Sequence, residues 1–311
     1  MSADPITRSE PDAVEVHPDA VVRAHEAALR DSSATSRFVK TDAGRRVHVI
    51  ETGAGRPTVF IHGSGPSGLL FLPLLERLEG VRAIALDRPG FGLSDPEEID
   101  APYADFAVDW LDHVLDLLAL DEVELVGNSM GGTCALWFAL AHPERVHRLV
   151  LLAAPPLAPG TRVPPPLLQL AHPDPTAPPR QMPPPSRETV IGSMAGLGEA
   201  ETIVRYPEQI DALVAAGGDR VATEASMREF RAILAPNGWR PELQVRREDL
   251  GRVSVPTLLA WGERDPLGGA DVAGEVADSM IDARLRLVPA GHAPWLGDPD
   301  DIAAMVGDFL R

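Results

Sequence analysis

Residues 122–134 read Glu122-Val123-Glu124-Leu125-Val126-Gly127-Asn128-Ser129-Met130-Gly131-Gly132-Thr133-Cys134. Glu122–Val126 has the apolar content of a buried strand, and Gly131–Ala141 continues as a helix. Between them Gly127-Asn128-Ser129-Met130-Gly131 matches G-x-S-x-G. A serine on a sharp strand-to-helix turn has its hydroxyl lifted above the sheet. The turn crowds its neighbours, so small residues are needed two before and two after. Gly127 and Gly131 stand at those places.

Working outward, the same alternation recurs. Arg37–Lys40 and Arg46–Glu51 flank the turn Asp42-Ala43-Gly44 and read as a hairpin. Pro57–His62 and Val81–Leu86 read as strands, with helical spacing over Leu69–Leu78 between them. Ala104–Leu120 places Phe106, Trp110, Val114 and Leu117 on one helical face. Val146–Ala153 reads as a further strand. Strand–helix alternation predicts an α/β fold, a mostly parallel sheet covered by helices on both faces. It stops at residues 155–185, where 31 positions hold thirteen prolines. Proline lacks a backbone donor and opposes central strands, so this stretch reads as the stiff entry to an inserted segment. Helical patterns follow at Arg187–Leu197, Glu208–Ala216 and Asp219–Leu234. The alternation resumes at Pro256–Trp261, Ala270–Met280, Arg284–Val288 and Asp301–Leu310. The expected organisation is an N-terminal extension with a short helix (Ala20–Arg30) over 1–36, core over 37–154, a mainly helical cap over 155–248, and core again over 249–311. Residues 1–16 are acidic and turn-rich and are expected to form a mobile tail.

Composition narrows the function class. The chain has 311 residues, 44% hydrophobic and 24% charged, with a net charge of -18. Such an acidic balance opposes a phosphate-backbone binder and an anionic membrane surface, so no nucleic-acid or membrane partner is expected. Cys134 is the only cysteine, which excludes a disulfide scaffold and reads as a small buried residue. No run of about 18 apolar residues and no secretory leader pattern occurs, so the expected location is the cytoplasm.

With the serine turn stand His62-Gly63 after the third strand, the stretch Asp87–Asp95 after the fourth, Trp261-Gly262-Glu263-Arg264-Asp265, and Gly291-His292. In this order the chain resembles the α/β-hydrolase superfamily from about residue 37 to 311. That resemblance implies a nucleophile–acid–histidine order, hence Ser129, Asp265 and His292. Asp265 orients the imidazole, and His292 takes the serine proton. The oxyanion donors implied are the N–H of Met130 and that of Ser64 or Gly65. His62 is expected to organise this loop. Gly63-Ser64-Gly65-Pro66-Ser67-Gly68 also matches the dinucleotide fingerprint G-x-G-x-x-G, with Asp87 at a later strand end. Pro66 restrains the turn that would wrap a pyrophosphate, so no cofactor is expected.

Serine rather than aspartate at residue 129 favours acyl chemistry. The leading expectation is hydrolysis of a carboxylic ester of a hydrophobic small molecule through an acyl-enzyme. The alternative is carbon–carbon bond hydrolysis of a vinylogous diketone, as in the enzymes that cleave ring-fission products; a lyase or cyclase on the same fold is a third reading. Ser64 and Asn128 are similar to residues near the oxyanion site of the carbon–carbon hydrolases, and Asn128 is a candidate substrate contact. Those enzymes usually carry tryptophan directly after the histidine; here Ala293 stands there and Trp295 follows, a candidate pocket residue. They also carry a cap arginine for the substrate's acid, for which Arg228 and Arg231 are candidates. Cap residues Leu197, Ile203, Leu213, Phe230 and Ile233 suggest an apolar pocket cover. No metal-ligand cluster such as H-E-x-x-H is present, so treatment with a chelator should leave turnover unchanged, as measured by initial rates before and after dialysis against EDTA.

Overall fold

The computed structural model describes residues 19–173 and 185–311. The tail expectation for 1–16 and part of the proline run lie outside them. The elements begin with α1 (Asp19–Leu29), the strands β1 (Thr35–Lys40), β2 (Arg46–Gly53) and β3 (Arg56–Ile61), then α2 (Leu72–Leu75), β4 (Val81–Leu86) and α3 (Tyr103–Leu117). There follow β5 (Val123–Asn128), α4 (Met130–Ala141) and β6 (Val146–Leu152).

Eight strands form one sheet in the order β1-β2-β4-β3-β5-β6, then β9 (Thr257–Gly262) and β10 (Ala283–Val288). The pairs β1–β2 and β2–β4 are antiparallel; the rest are parallel. Side chains on a strand alternate between the two faces, and here both faces are covered. Val59 and Ile61 enter one core with Leu111, Leu136 and Trp261. Phe60, between them, enters the other with Phe71, Leu74 and Phe309. The first core lies under α3, α4 and α11 (Ala270–Asp278), the second under α2 and α12 (Pro299–Leu310).

Between β6 and β9 the chain is mainly helical. It holds α5 (Pro165–Ala171), α6 (Arg187–Gly196), α7 (Ala200–Ile203), α8 (Pro207–Gly218), α9 (Arg220–Ile233) and α10 (Arg247–Leu250), with a two-strand hairpin of β7 (Leu234–Ala235) and β8 (Gly238–Trp239). Helix α5 sits inside the proline run. Its two prolines, Pro165 and Pro166, fall in the first turn, where a missing N–H has no helical partner to lose. The helix expected over Leu69–Leu78 is broken into a 3₁₀ turn, Gly68–Phe71, and the one-turn α2, which carries Pro73 in its first turn. The hairpin and the one-turn helices α7 and α10 are too short to leave a periodic trace in the sequence.

Strand β3 connects to β4 on one side of itself and is flanked by β5 on the other. The strand order therefore reverses between β3 and β5, which opens a crevice beyond their carboxyl ends. Registers Ile61 with Gly127, Asn128 with Leu152 and Leu152 with Ala260 align these ends in one row. The residues after β3, β5, β9 and β10 thus emerge together.

Asp87, at the end of β4, stitches the row to its neighbours. It is fully buried and accepts from the Gly68 N–H at 2.7 Å, the Leu93 N–H at 2.9 Å and His48 Nδ1 at 2.7 Å. Burial alone would raise its pKa, but the charge and hydrogen bond of His48, with His25 and His62 nearby, hold it well below the usual carboxylate range. A depressed native pKa adds stability above the unfolded value that is lost as pH falls. Asp87→Asn should cost about 2–3 kcal/mol at neutral pH. It should also flatten the loss of stability between about pH 5 and 3, read from urea midpoints across that range.

Candidate active site

Ser129 stands at φ 54° and ψ -127°, a conformation that a residue with a side chain occupies only under strain of about 1–3 kcal/mol. Close packing holds it there. A Cβ at Gly131 would lie 2.0 Å from the Ile61 carbonyl oxygen, and one at Gly127 would lie 2.5 Å from the Gly131 carbonyl oxygen. The serine therefore projects half-buried above the sheet while Asn128 and Met130 on either side are buried. Met130 opens α4, so its N–H has no partner one turn earlier in the helix.

The loop after β3 passes alongside. A Cβ at Gly63 would be 2.8 Å from the Ser129 Cβ and 3.3 Å from its Oγ. The Gly63 carbonyl accepts from His62 Nδ1 at 2.7 Å and from Arg88 Nη2 at 2.9 Å. A trans peptide directs the next N–H the opposite way, so that of Ser64 faces away from Arg88. His62 Nε2 in turn accepts the Arg88 N–H at 2.9 Å, so both ring nitrogens are used. Burial, reinforced by the Arg88 charge, pushes the His62 pKa down to about 4 and keeps the ring neutral. It organises the loop, as expected.

Asp265 and His292 meet across the crevice. Asp265 Oδ2 accepts from His292 Nδ1 at 2.8 Å and from the Ala154 N–H at 2.9 Å, while Oδ1 accepts from the Leu267 N–H at 2.9 Å. The carboxylate cannot swing, and the ring's Nε2 is left as an acceptor. Asn128, next to Ser129, donates its amide to the Leu152 carbonyl at 2.8 Å and to the His292 carbonyl at 3.1 Å. The Asn128 side chain thus ties the residue before Ser129 to the backbone of His292. Among the described residues the Ser129 hydroxyl makes no hydrogen bond. Such a bond commonly tightens only when substrate is held.

The four candidate substrate contacts are engaged or placed as follows. Asn128 has its amide N–H groups engaged by carbonyls and acts as a tether. Trp295 is wholly buried, stacks on Phe71 at 5.0 Å between ring centroids and donates its indole N–H to the Leu70 carbonyl at 2.9 Å, so it is core. Arg228 reaches the core's Glu97 carbonyl at 2.7 Å, and Arg231 is exposed. The apolar cap residues Ile203 and Ile233 are buried in the two cores and pack the cap down instead of lining a pocket. Cys134 is buried, and its thiol pKa is raised to about 12 by burial, which disarms it.

A buried network escaped the sequence. Arg88 pairs with Glu229 on α9, Tyr103 donates its hydroxyl to the same carboxylate, and Arg88 also bonds the Tyr103 oxygen at 3.1 Å. Burial would raise the Glu229 pKa, but the Arg88 charge and hydrogen bonds from Arg88, Ser64 and Tyr103 lower it. The trace was present: α9 buries Val221, Ala225, Glu229 and Ile233 at four-residue steps, with one acid in an otherwise apolar stripe. The residues His25, His48 and Asp87 also cluster within 4.8 Å of one another, with metal-ligand chemistry. The Asp87 oxygens already accept two backbone N–H groups and His48, so the cluster is a hydrogen-bonding hub.

Comparison with known proteins agrees with this architecture. The family model of the alpha/beta hydrolase fold matches residues 57–178. The chain is 37% identical over 301 residues to a 2-hydroxy-6-oxononadienedioate/2-hydroxy-6-oxononatrienedioate hydrolase of Burkholderia vietnamiensis, spanning 92% of this chain and 99% of that one. It is 29% identical over 298 residues to the same-named hydrolase of Paraburkholderia xenovorans, spanning 91% and 97%. Among solved structures, a meta-cleavage product hydrolase of Pseudomonas fluorescens superposes with a TM-score of 0.69 at 23% identity, over 88% of this chain and 97% of that one. Carboxylesterase CesB of Bacillus subtilis gives 0.70 at 22%, over 94% and 98%. At those identities the structures establish the fold alone.

Truncating Glu229 to alanine would leave the Arg88 guanidinium buried without its partner. The expected loss is about 3–5 kcal/mol in urea unfolding, against a smaller loss for Glu229→Gln, which keeps an acceptor in place.

Proposed function

We propose that this chain, which belongs to the α/β-hydrolase family, hydrolyses a carbon–carbon bond next to the ketone of a small 2-hydroxy-6-oxo dioic acid. The observation that carries this reading is the 37% identity along 99% of a relative named for such a substrate. In this reading Ser129 Oγ attacks the 6-oxo carbonyl as His292 Nε2 takes its proton. Asp265 fixes the imidazole tautomer and stabilises the imidazolium. The N–H groups of Met130 and Ser64 receive the oxyanion, each worth about 3–4 kcal/mol in comparable sites. With the substrate first ketonised, a proton moving from the 2-hydroxyl to C5, the electron pair of the broken C5–C6 bond leaves through the C3–C4 double bond onto the 2-oxo oxygen, which takes a proton to give the 2-hydroxy dienoic acid. Water then releases the second acid from Ser129. A dioic acid differs from the apolar substrate that the cap composition suggests. Ile203 and Ile233 are buried in the packing, so those two cap residues lend the apolar expectation no support.

Ala293 supports a second reading, carboxylic ester hydrolysis. It occupies the position where tryptophan is usual in the carbon–carbon hydrolases, and Trp295 lies in the core. Both reactions use the same nucleophile, base and oxyanion donors, so the substrate decides between them.

Two measurements test these readings. Ser129→Ala should lower turnover by at least about 10³-fold with the fold intact by circular dichroism. The wild-type kcat/KM for 2-hydroxy-6-oxononadienedioate should exceed that for p-nitrophenyl butyrate by at least about 10-fold, a 1.4 kcal/mol difference in transition-state binding. The reverse ratio would establish the ester reading.

A further inference from the structure

Residues Leu197-Gly198-Glu199, between α6 and α7 in the segment that separates β6 from β9, lie backbone against backbone on the loop carrying His292. The Leu197 carbonyl accepts the His292 N–H at 2.9 Å. Glu199 Oε1 accepts the Gly291 N–H at 3.0 Å and the Ala293 N–H at 3.0 Å. Three consecutive amides around the histidine are therefore held by one short stretch of the insertion. The fit is close. A Cβ at Gly291 would lie 2.2 Å from the Leu197 carbonyl oxygen, and Gly198 reaches the contact at φ +78°. Glu199 is wholly buried, and its second oxygen accepts from the Thr202 hydroxyl. Burial raises its pKa, opposed by Thr202, the two amides and the nearby His292.

A buried carboxylate that spends both lone pairs of one oxygen on backbone amides is a costly device for packing alone. Replacing it by a hydrocarbon would fill the same space without burying charge. What the carboxylate adds is position. Asp265 fixes one ring nitrogen, Asn128 fixes the carbonyl of His292, and Glu199 fixes the amides before and after it.

We infer that Glu199 is a positioning residue for His292: bidentate acceptance of the Gly291 and Ala293 amides by one carboxylate oxygen holds the imidazole on the Ser129 side of the crevice. This inference rests on Ser129 and His292 acting as nucleophile and base.

The test reads the rate of adduct formation on Ser129 with a fluorophosphonate by intact-mass spectrometry, which needs the base but no particular substrate. Glu199→Ala should slow labelling about 10- to 100-fold, the loss that misplacing a reacting group produces. Glu199→Gln keeps the double acceptor and should label within about 3-fold of wild type. Glu199→Asp keeps the charge but is one methylene short of the amides, so it should label as slowly as the alanine variant. The Gln–Asp pair carries the test if Glu199→Ala does not fold. Labelling of Glu199→Asp at the wild-type rate, or of Glu199→Gln at the alanine rate, would overturn the positioning role while Ser129 is still labelled in the wild type. No wild-type adduct, or an adduct that persists in Ser129→Ala, would overturn the nucleophile reading itself.

Discussion

The close approach of three backbone segments at Ser129 is the constraint on which the site depends. Residues 127–131 turn from β5 into α4 within reach of the end of β3, so the Ile61 carbonyl oxygen lies 2.0 Å from where a Gly131 side chain would begin. That contact leaves Ser129 no relaxed conformation, and the buried sheet on both sides prevents relief. The half-buried hydroxyl, the Met130 N–H at the start of α4 and the neighbouring Gly63–Ser64 peptide all follow from the same approach.

Around this turn, fixed charges set direction. Asp265 is bound by two backbone amides before it reaches His292. The Gly63 carbonyl is bound by Arg88 and His62, and Arg88 is itself held by Glu229 from α9. Glu199 from the insertion binds the amides beside His292. Buried charges stabilise little by themselves, since desolvation opposes their attraction. They do fix geometry, because a group with every lone pair engaged has one low-energy place to be. The insertion therefore reaches both the loop after β3 and the loop carrying His292 through carboxylates.

Much of the fold was legible in the residues. Strand β4 occupies the stretch Val81–Leu86 read from its apolar run, and helices α3, α8 and α9 lie within a few residues of their periodic patterns. The G-x-S-x-G turn was legible because its glycines answer a steric demand local to five residues. The helix over Leu69–Leu78 was misread because Pro73 interrupts a run whose apolar spacing is otherwise continuous. Trp295 was misplaced because nearness to His292 in sequence says nothing about which way a side chain leaves a turn. Here it leaves toward Phe71 and the Leu70 carbonyl.

The order of serine, acid and histidine came from the resemblance to the α/β-hydrolase superfamily; the sequence alone determined the alternation of strands and helices and the strained serine turn. Each is written in local spacing or in small residues where the backbone has no room. Only the tertiary structure decided the partners of Arg88, Glu199 and Glu229. The contacts of Arg88 with Gly63 and Glu229, and of Glu199 with Gly291, join residues from 25 to 141 positions apart, and nothing in local periodicity encodes them. It likewise engages the Asn128 amide, because the carbonyls of Leu152 and His292 reach it only once β5, β6 and the loop after β10 converge.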